Sequence, residues 1–107
     1  MSKKQFLIIG LGRFGLSLCE ELYRQQAEIL VIDIDEERVK KVADFCVQAI
    51  VADASDEEVL KEIDLGSYDL VFVAIGDDIH ANILTTLILK ECGVKKVWVK
   101  ADDRFHE

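Results

Sequence analysis

At 107 residues the chain is long enough for one hydrophobic core and too short for two, and a composition half hydrophobic and 32% charged is that of an ordinary globular domain. The net charge of −8 argues against a broad phosphate-tracking surface, so no nucleic-acid partner is expected. No apolar run reaches the ~20 residues of a membrane helix and the start, Met1-Ser2-Lys3-Lys4-Gln5, lacks an apolar signal region, so a cytoplasmic protein is expected.

The first strand is expected at Phe6–Ile9, apolar throughout as parallel strands are when helices cover both faces of their sheet. It leads directly into Gly10-Leu11-Gly12-Arg13-Phe14-Gly15. Alone, G-x-G-x-x-G says little; between a strand and a helix each glycine has a task. Gly10 makes the tight turn, Gly12 lets the backbone approach a pyrophosphate, and Gly15 lets helix and strand pack closely. A helix follows over Arg13–Arg24, with Phe14, Leu18 and Leu22 as its apolar stripe, and its free N–H groups face an anion. Arg13 stands where a cation gains nothing from the helix dipole, so its charge is read as facing ligand phosphates.

Ile29–Ile32 is the second strand, closed by Asp33. A carboxylate there accepts from both ribose hydroxyls of an adenosine and repels a 2′-phosphate, and neither Ile34 nor Asp35 offers a compensating cation. Capping the next helix falls better to Asp35, with Val39 and Val42 turned inward. Val47–Val51, interrupted by Gln48, is a weaker strand; Asp53 and Ala54 follow it at the carboxyl end, where open α/β sheets bind ligands. Ser55-Asp56-Glu57-Glu58 reads as a capping box with Ser55 as the cap. The fourth strand, Leu70–Ala74, runs into Ile75-Gly76-Asp77. Ala54 and Gly76 leave room for a flat base and Ile75 can cover one face of it, while Asp77 is equally a ligand contact or a helix cap. The last helix is expected over Asp78–Cys92 with Ile79, Ile83, Leu84, Leu87 and Ile88 inward and Gly93 as its left-handed terminator. Val97–Val99 is the fifth strand, with Trp98 as packing.

Several residues invite a sharper reading than they support. Asp102, Asp103 and His106 have no second nitrogen or sulfur ligand beside them and read as a surface loop, not a metal site. Cys19, Cys46 and Cys92 are odd in number and far apart, so they read as reduced, packed thiols. The charged stretches 38–41 and 57–61 read as solvated helix faces. The strand–helix alternation with right-handed crossovers predicts one α/β domain over residues 1–107: a Rossmann-type doubly wound parallel sheet in three α/β/α layers, the first strand near its centre. The sixth strand usual in such sheets is not expected within the chain.

Five segments in order, Gly10 to Gly15, Val31-Ile32-Asp33-Ile34-Asp35, Ala52-Asp53-Ala54, Val73-Ala74-Ile75-Gly76 and Val97-Trp98-Val99-Lys100-Ala101, resemble the N-terminal nucleotide-binding domain of the RCK or KTN family. These are cytosolic regulators of potassium channels and of Trk and Ktr potassium uptake systems, and the resemblance is strongest to KtrA-type regulatory subunits. It implies NAD(H) or ATP/ADP as ligand, a homodimer assembling into a ring, and a KtrB-like membrane potassium transporter subunit as partner. It also implies ligand contacts at Arg13, Asp33, Ile34, Asp35, Asp53, Ala54, Ile75, Gly76, Asp77, Lys100, Ala101, Asp102 and His106. Of these, Lys100 and His106 enter by the resemblance only. The family's arm beyond the fifth strand and its C-terminal ligand domain are not expected in these residues. Relatives often carry Gly where this chain has Gln26, and Arg where it has Lys100. The expected function is a regulatory binding module and not an enzyme. The alternative is the cofactor domain of an NAD-dependent oxidoreductase, which requires a catalytic domain and a positioned general acid from elsewhere.

Overall fold

In the computed structural model, which describes residues 4–75, 79–94 and 96–99, five strands pair in parallel in the order β3-β2-β1-β4-β5. They are β1 (Gln5–Ile9), β2 (Glu28–Asp33), β3 (Gln48–Val51), β4 (Leu70–Val73) and β5 (Val97–Val99), connected by helices α1 (Arg13–Arg24), α2 (Glu36–Val42), α3 (Glu57–Lys61) and α4 (Ile79–Glu91). β1 is central, with Ile8 in register with Val31 on one side and Phe72 on the other. Chain direction reverses its march across the sheet between β1 and β4, the switch point at which such sheets open a crevice.

The period-2 alternation of side chains along a strand builds the three layers. Leu7 and Ile9 join Leu30, Ile32, Val71 and Val73 on one face, against Leu60 of α3 and Ile88 and Leu89 of α4. Ile8, Ile29 and Val31 point the other way, against Cys19 and Leu22 of α1 and Val39 and Val42 of α2. The doubly wound sheet is therefore as expected, and so are the inward Val39 and Val42.

Several expectations need correction. In α1 the buried line is Gly15, Cys19 and Leu22, one residue round from Phe14 and Leu18, because the missing side chain at Gly15 lets the helix settle on β1 along that line. In α3 the cap is Asp56, whose carboxylate accepts from the Glu58 N–H at 3.0 Å; Ser55 is drawn away by Asp53. In α4 Ile83, Leu84 and Leu87 are exposed, while Thr85, Ile88 and Leu89 are buried; the side chain of Ile79 lies outside the described residues. The inner face there is chosen by Asn82, which is tied to the end of β4 and so turns positions 82, 85 and 89 to the sheet. Finally, β3 and β5 are edge strands with exposed Val51, Trp98 and Val99, Val47 lies outside β3, and Cys92 is exposed and not packed.

α1 ends on Gln26 at φ 64°. The N–H of Gln26 donates to Tyr23 O at 2.9 Å and that of Ala27 to Leu22 O at 3.1 Å, the paired bonds of a Schellman motif. A side chain in this left-handed region costs ~1 kcal/mol. Gln26→Gly is therefore expected to raise the melting temperature by a few degrees, and a fall in the thermal melt would show that the glutamine side chain contributes more than its backbone conformation costs.

Candidate functional site

The carboxyl ends of β1 to β4 surround a cavity of about 440 Å³. Its lining includes Gly10 and Leu11 after β1, Asp33 and Ile34 at β2, Asp53, Ala54 and Ser55 after β3, and Ala74 and Ile75 after β4, with Arg38 of α2 and Ala81 of α4. The sheet explains the convergence: parallel strands deliver all these turns to one edge.

The glycine turn divides into two functions. Gly10 sits at φ 98°, its N–H donating to Ile32 O at 2.9 Å, and a Cβ there would collide with the Ala74 carbonyl. A Cβ on Gly15 would collide with the carbonyl of Gly10. Both are required by packing. Gly12 is different: a Cβ there would meet nothing within 4 Å, so its openness serves what approaches from outside. Gly12 is also the N-cap of α1 and supplies no side-chain hydrogen bond, whereas Asp35 caps α2 and Asp56 caps α3. The first turn of α1 therefore keeps its N–H groups and partial positive charge available to an anion, with exposed Arg13 beside them.

Asp33 is buried, 7% exposed, and its two oxygens join the two loops that flank it. Oδ2 accepts from the Leu11 N–H at 2.6 Å and Oδ1 from the Asp35 N–H at 2.7 Å. Each carboxylate oxygen retains a further lone pair for a ligand hydroxyl. Asp35 accepts from the Glu37 N–H at 2.9 Å as expected of a cap, and its other oxygen lies 3.7 Å from Arg38 Nε. Asp53 accepts from both the hydroxyl and the N–H of Ser55, at 2.6 and 2.9 Å, and these bonds hold its carboxyl below the usual carboxylate range. On the opposite wall the Asn82 side chain accepts from the Ile75 N–H at 3.1 Å and donates to the Ile75 carbonyl at 3.3 Å, holding the main chain just after β4.

Of the candidate site residues, Gly10, Asp33, Ile34, Asp53, Ala54 and Ile75 line this one cavity. Gly12, Arg13, Phe14, Gly15 and Asp35 are not part of the lining; the Phe14 ring stacks on Trp98, centroids 5.0 Å apart and planes 19° apart. Gly76, Asp77, Lys100, Ala101, Asp102 and His106 lie outside the described residues. Sequence reasoning missed Arg38, Ser55 and Asn82. For Arg38 the signal was present, since helical i, i+3 spacing from the cap Asp35 returns it to the end of β2. Nothing in the sequence singles out Asn82, a lone amide in an apolar helix.

Residues 6–107 match the TrkA-N domain family. Ktr system potassium uptake protein A of Vibrio alginolyticus is 57% identical over 102 residues, covering 95% of this chain and 46% of that protein. Ktr system potassium uptake protein C of Bacillus subtilis (strain 168) is 50% identical over 105 residues, covering 98% of this chain and 48% of that protein. The chain spans about half the length of these relatives. Among solved structures, the NAD(P)-binding domain of an exopolyphosphatase-related protein from Archaeoglobus fulgidus superposes with a TM-score of 0.75 at 22% identity, covering 97% of this chain and 79% of that one; that likeness is one of fold.

Proposed function

This chain belongs to the TrkA-N domain family, and from that premise we propose that it is the nucleotide-sensing module of a regulator of potassium uptake. The ligand is an adenine nucleotide, NAD(H) or ATP/ADP, bound across the cavity at the switch point. The observation that carries this reading is the pairing of a buried carboxylate at the end of β2 with an uncapped, glycine-opened helix N-terminus beside it. The first suits ribose hydroxyls and the second suits phosphates. Ile34, Ala54 and Ile75 supply an apolar wall for the base.

The names of the two relatives support potassium uptake as the process. In this reading the whole protein is a cytoplasmic homodimer or ring acting on a KtrB-like membrane transporter subunit, with residues 1–107 as its RCK-type N-terminal domain. Among the described residues no helix is long and apolar enough to cross a membrane. The domain acts by binding and not by catalysis: the titratable groups of the described lining are two aspartates and an arginine, with Asp33 and Asp53 holding loops and Arg38 beside the α2 cap Asp35. A ligand shifts a conformational equilibrium only by binding its two states unequally.

Calorimetric titration with NADH, NADPH, ATP and ADP tests the reading. Binding of NADH and ATP with weaker NADPH is expected, and no binding by any of the four would overturn it. Arg13→Ala should weaken ATP more than NADH, by ~1–2 kcal/mol in the difference, because a terminal triphosphate offers the guanidinium charge that a diester pyrophosphate lacks. Equal losses for ATP and NADH would leave Arg13 as a general phosphate contact.

A further inference from the structure

Cys19 and Cys46 lie on different elements, one in the middle of α1 and the other between the 3₁₀ turn Ala43–Phe45 and β3. Their sulfurs are 3.5 Å apart, and either thiol can be the donor in the hydrogen bond between them. Cys19 is fully buried in the cluster formed with Leu22, Val39 and Val42, and Cys46 packs against the edge of that cluster while remaining half-buried. Cys92, the third cysteine, is exposed on another part of the fold.

We propose that Cys19 and Cys46 form a modification site for two-electron thiol oxidants, closing a reversible disulfide between α1 and the segment that precedes β3. A disulfide needs its sulfurs to close by about 1.5 Å more, a distance within reach of side-chain rotation. Reaction needs a thiolate. Donation from Cys46 holds the Cys19 thiol below its usual range, and the same contact, with burial, raises Cys46. The charge therefore rests on Cys19, with Cys46 donating to it; Cys46, half-buried, is the sulfur an oxidant reaches, and its proton passes along the S–H···S contact to Cys19 as it reacts.

The chemistry balances with either of two oxidants. Cys46 gives its proton to Cys19 as it attacks one oxygen of hydrogen peroxide, an S–O bond forms, the O–O bond breaks, and the departing hydroxide takes that proton from Cys19 and leaves as water. Cys19 thiolate then attacks the Cys46 sulfenic acid, the S–S bond forms, the S–O bond breaks, and a second water leaves. Two thiols have lost two electrons and two protons, and peroxide has taken up both. With glutathione disulfide, Cys46 displaces one glutathione thiolate and Cys19 displaces the other. The product braces α1 against the connection that follows α2, and the N-terminal ends of these two helices flank the cavity.

The experiment treats the protein with hydrogen peroxide or with glutathione disulfide, alkylates the remaining thiols, and maps tryptic peptides without reduction. The expected product joins the peptide of residues 14–24 to that of residues 42–61, and dithiothreitol reverses it. Cys46→Ser should abolish the cross-link and Cys92→Ser should leave it at the wild-type yield. A cross-link with only one of the oxidants supports the site and identifies its source. The proposal is overturned if neither oxidant joins the two peptides, whether Cys46 then carries a lone adduct with Cys19 free or the only product is dimer linked through Cys92.

Discussion

Gly15→Ala is expected to destabilise the fold by about 3 kcal/mol or more in urea denaturation. The usual effect of Gly→Ala inside a helix is the opposite, a gain of roughly 1 kcal/mol from propensity. Here the added methyl meets the Gly10 carbonyl, a backbone atom in a turn already fixed by the Gly10 N–H bond to Ile32. Either α1 lifts from β1, opening the cluster around Cys19 and Leu22, or the turn itself is displaced. Gly12→Ala is the control. With open space at its Cβ and φ −68°, it should unfold within about 0.5 kcal/mol of wild type and yet bind NADH and ATP at least about tenfold more weakly, a loss of ~1.4 kcal/mol. Wild-type stability in Gly15→Ala would mean that the helix does not rest on the strand as described. Wild-type binding in Gly12→Ala would mean that no ligand approaches this turn.

The second large effect is expected at Asp33. Asp33→Ala removes the acceptor of two N–H groups, those of Leu11 and Asp35, and the Leu11 bond is buried. Leaving such donors unpaired should cost about 2–4 kcal/mol of stability. Nucleotide affinity should fall by about 1–3 kcal/mol in addition, for the lost bonds to ribose hydroxyls. The two effects separate by measurement. Chemical denaturation reads the first, and titration well below the melting temperature reads the second. Equal wild-type affinities for NADH and NADPH would remove the ribose role and leave Asp33 as a tie between the glycine turn and the cap of α2.

The fold was legible because its signals are local and repeated. Apolar runs such as Phe6–Ile9 and the G-x-G-x-x-G spacing determine strand, turn and helix within a dozen residues. The residues of the candidate site that lie at strand ends were legible for the same reason, since the sheet sends every such turn to one edge. The errors fall where a helix had more apolar residues than the sheet could cover. In α4 the pattern offers two faces, and a polar contact from Asn82 to Ile75 decides between them. Ser55 was misread because Asp53, two residues earlier, competes for it more strongly than the helix does. Arg38 was lost in a charged run, although only the residue at its helical position faces the cavity. The Cys19–Cys46 contact joins positions 27 residues apart, a distance over which spacing carries no signal.

The Asn82 clamp makes α4 a lever with loads on both sides. Its inner side grips the main chain of Ile75, both N–H and carbonyl, at the wall of the cavity. Its outer side carries Ile83, Leu84 and Leu87 at the surface. A push on those outer side chains would reach the cavity wall through the paired Asn82–Ile75 bonds. The reverse would hold as well, a shift of Ile75 pulling on the helix that carries the three apolar side chains. Thermodynamic reciprocity then requires that the free energy linking the two sides be equal in both directions.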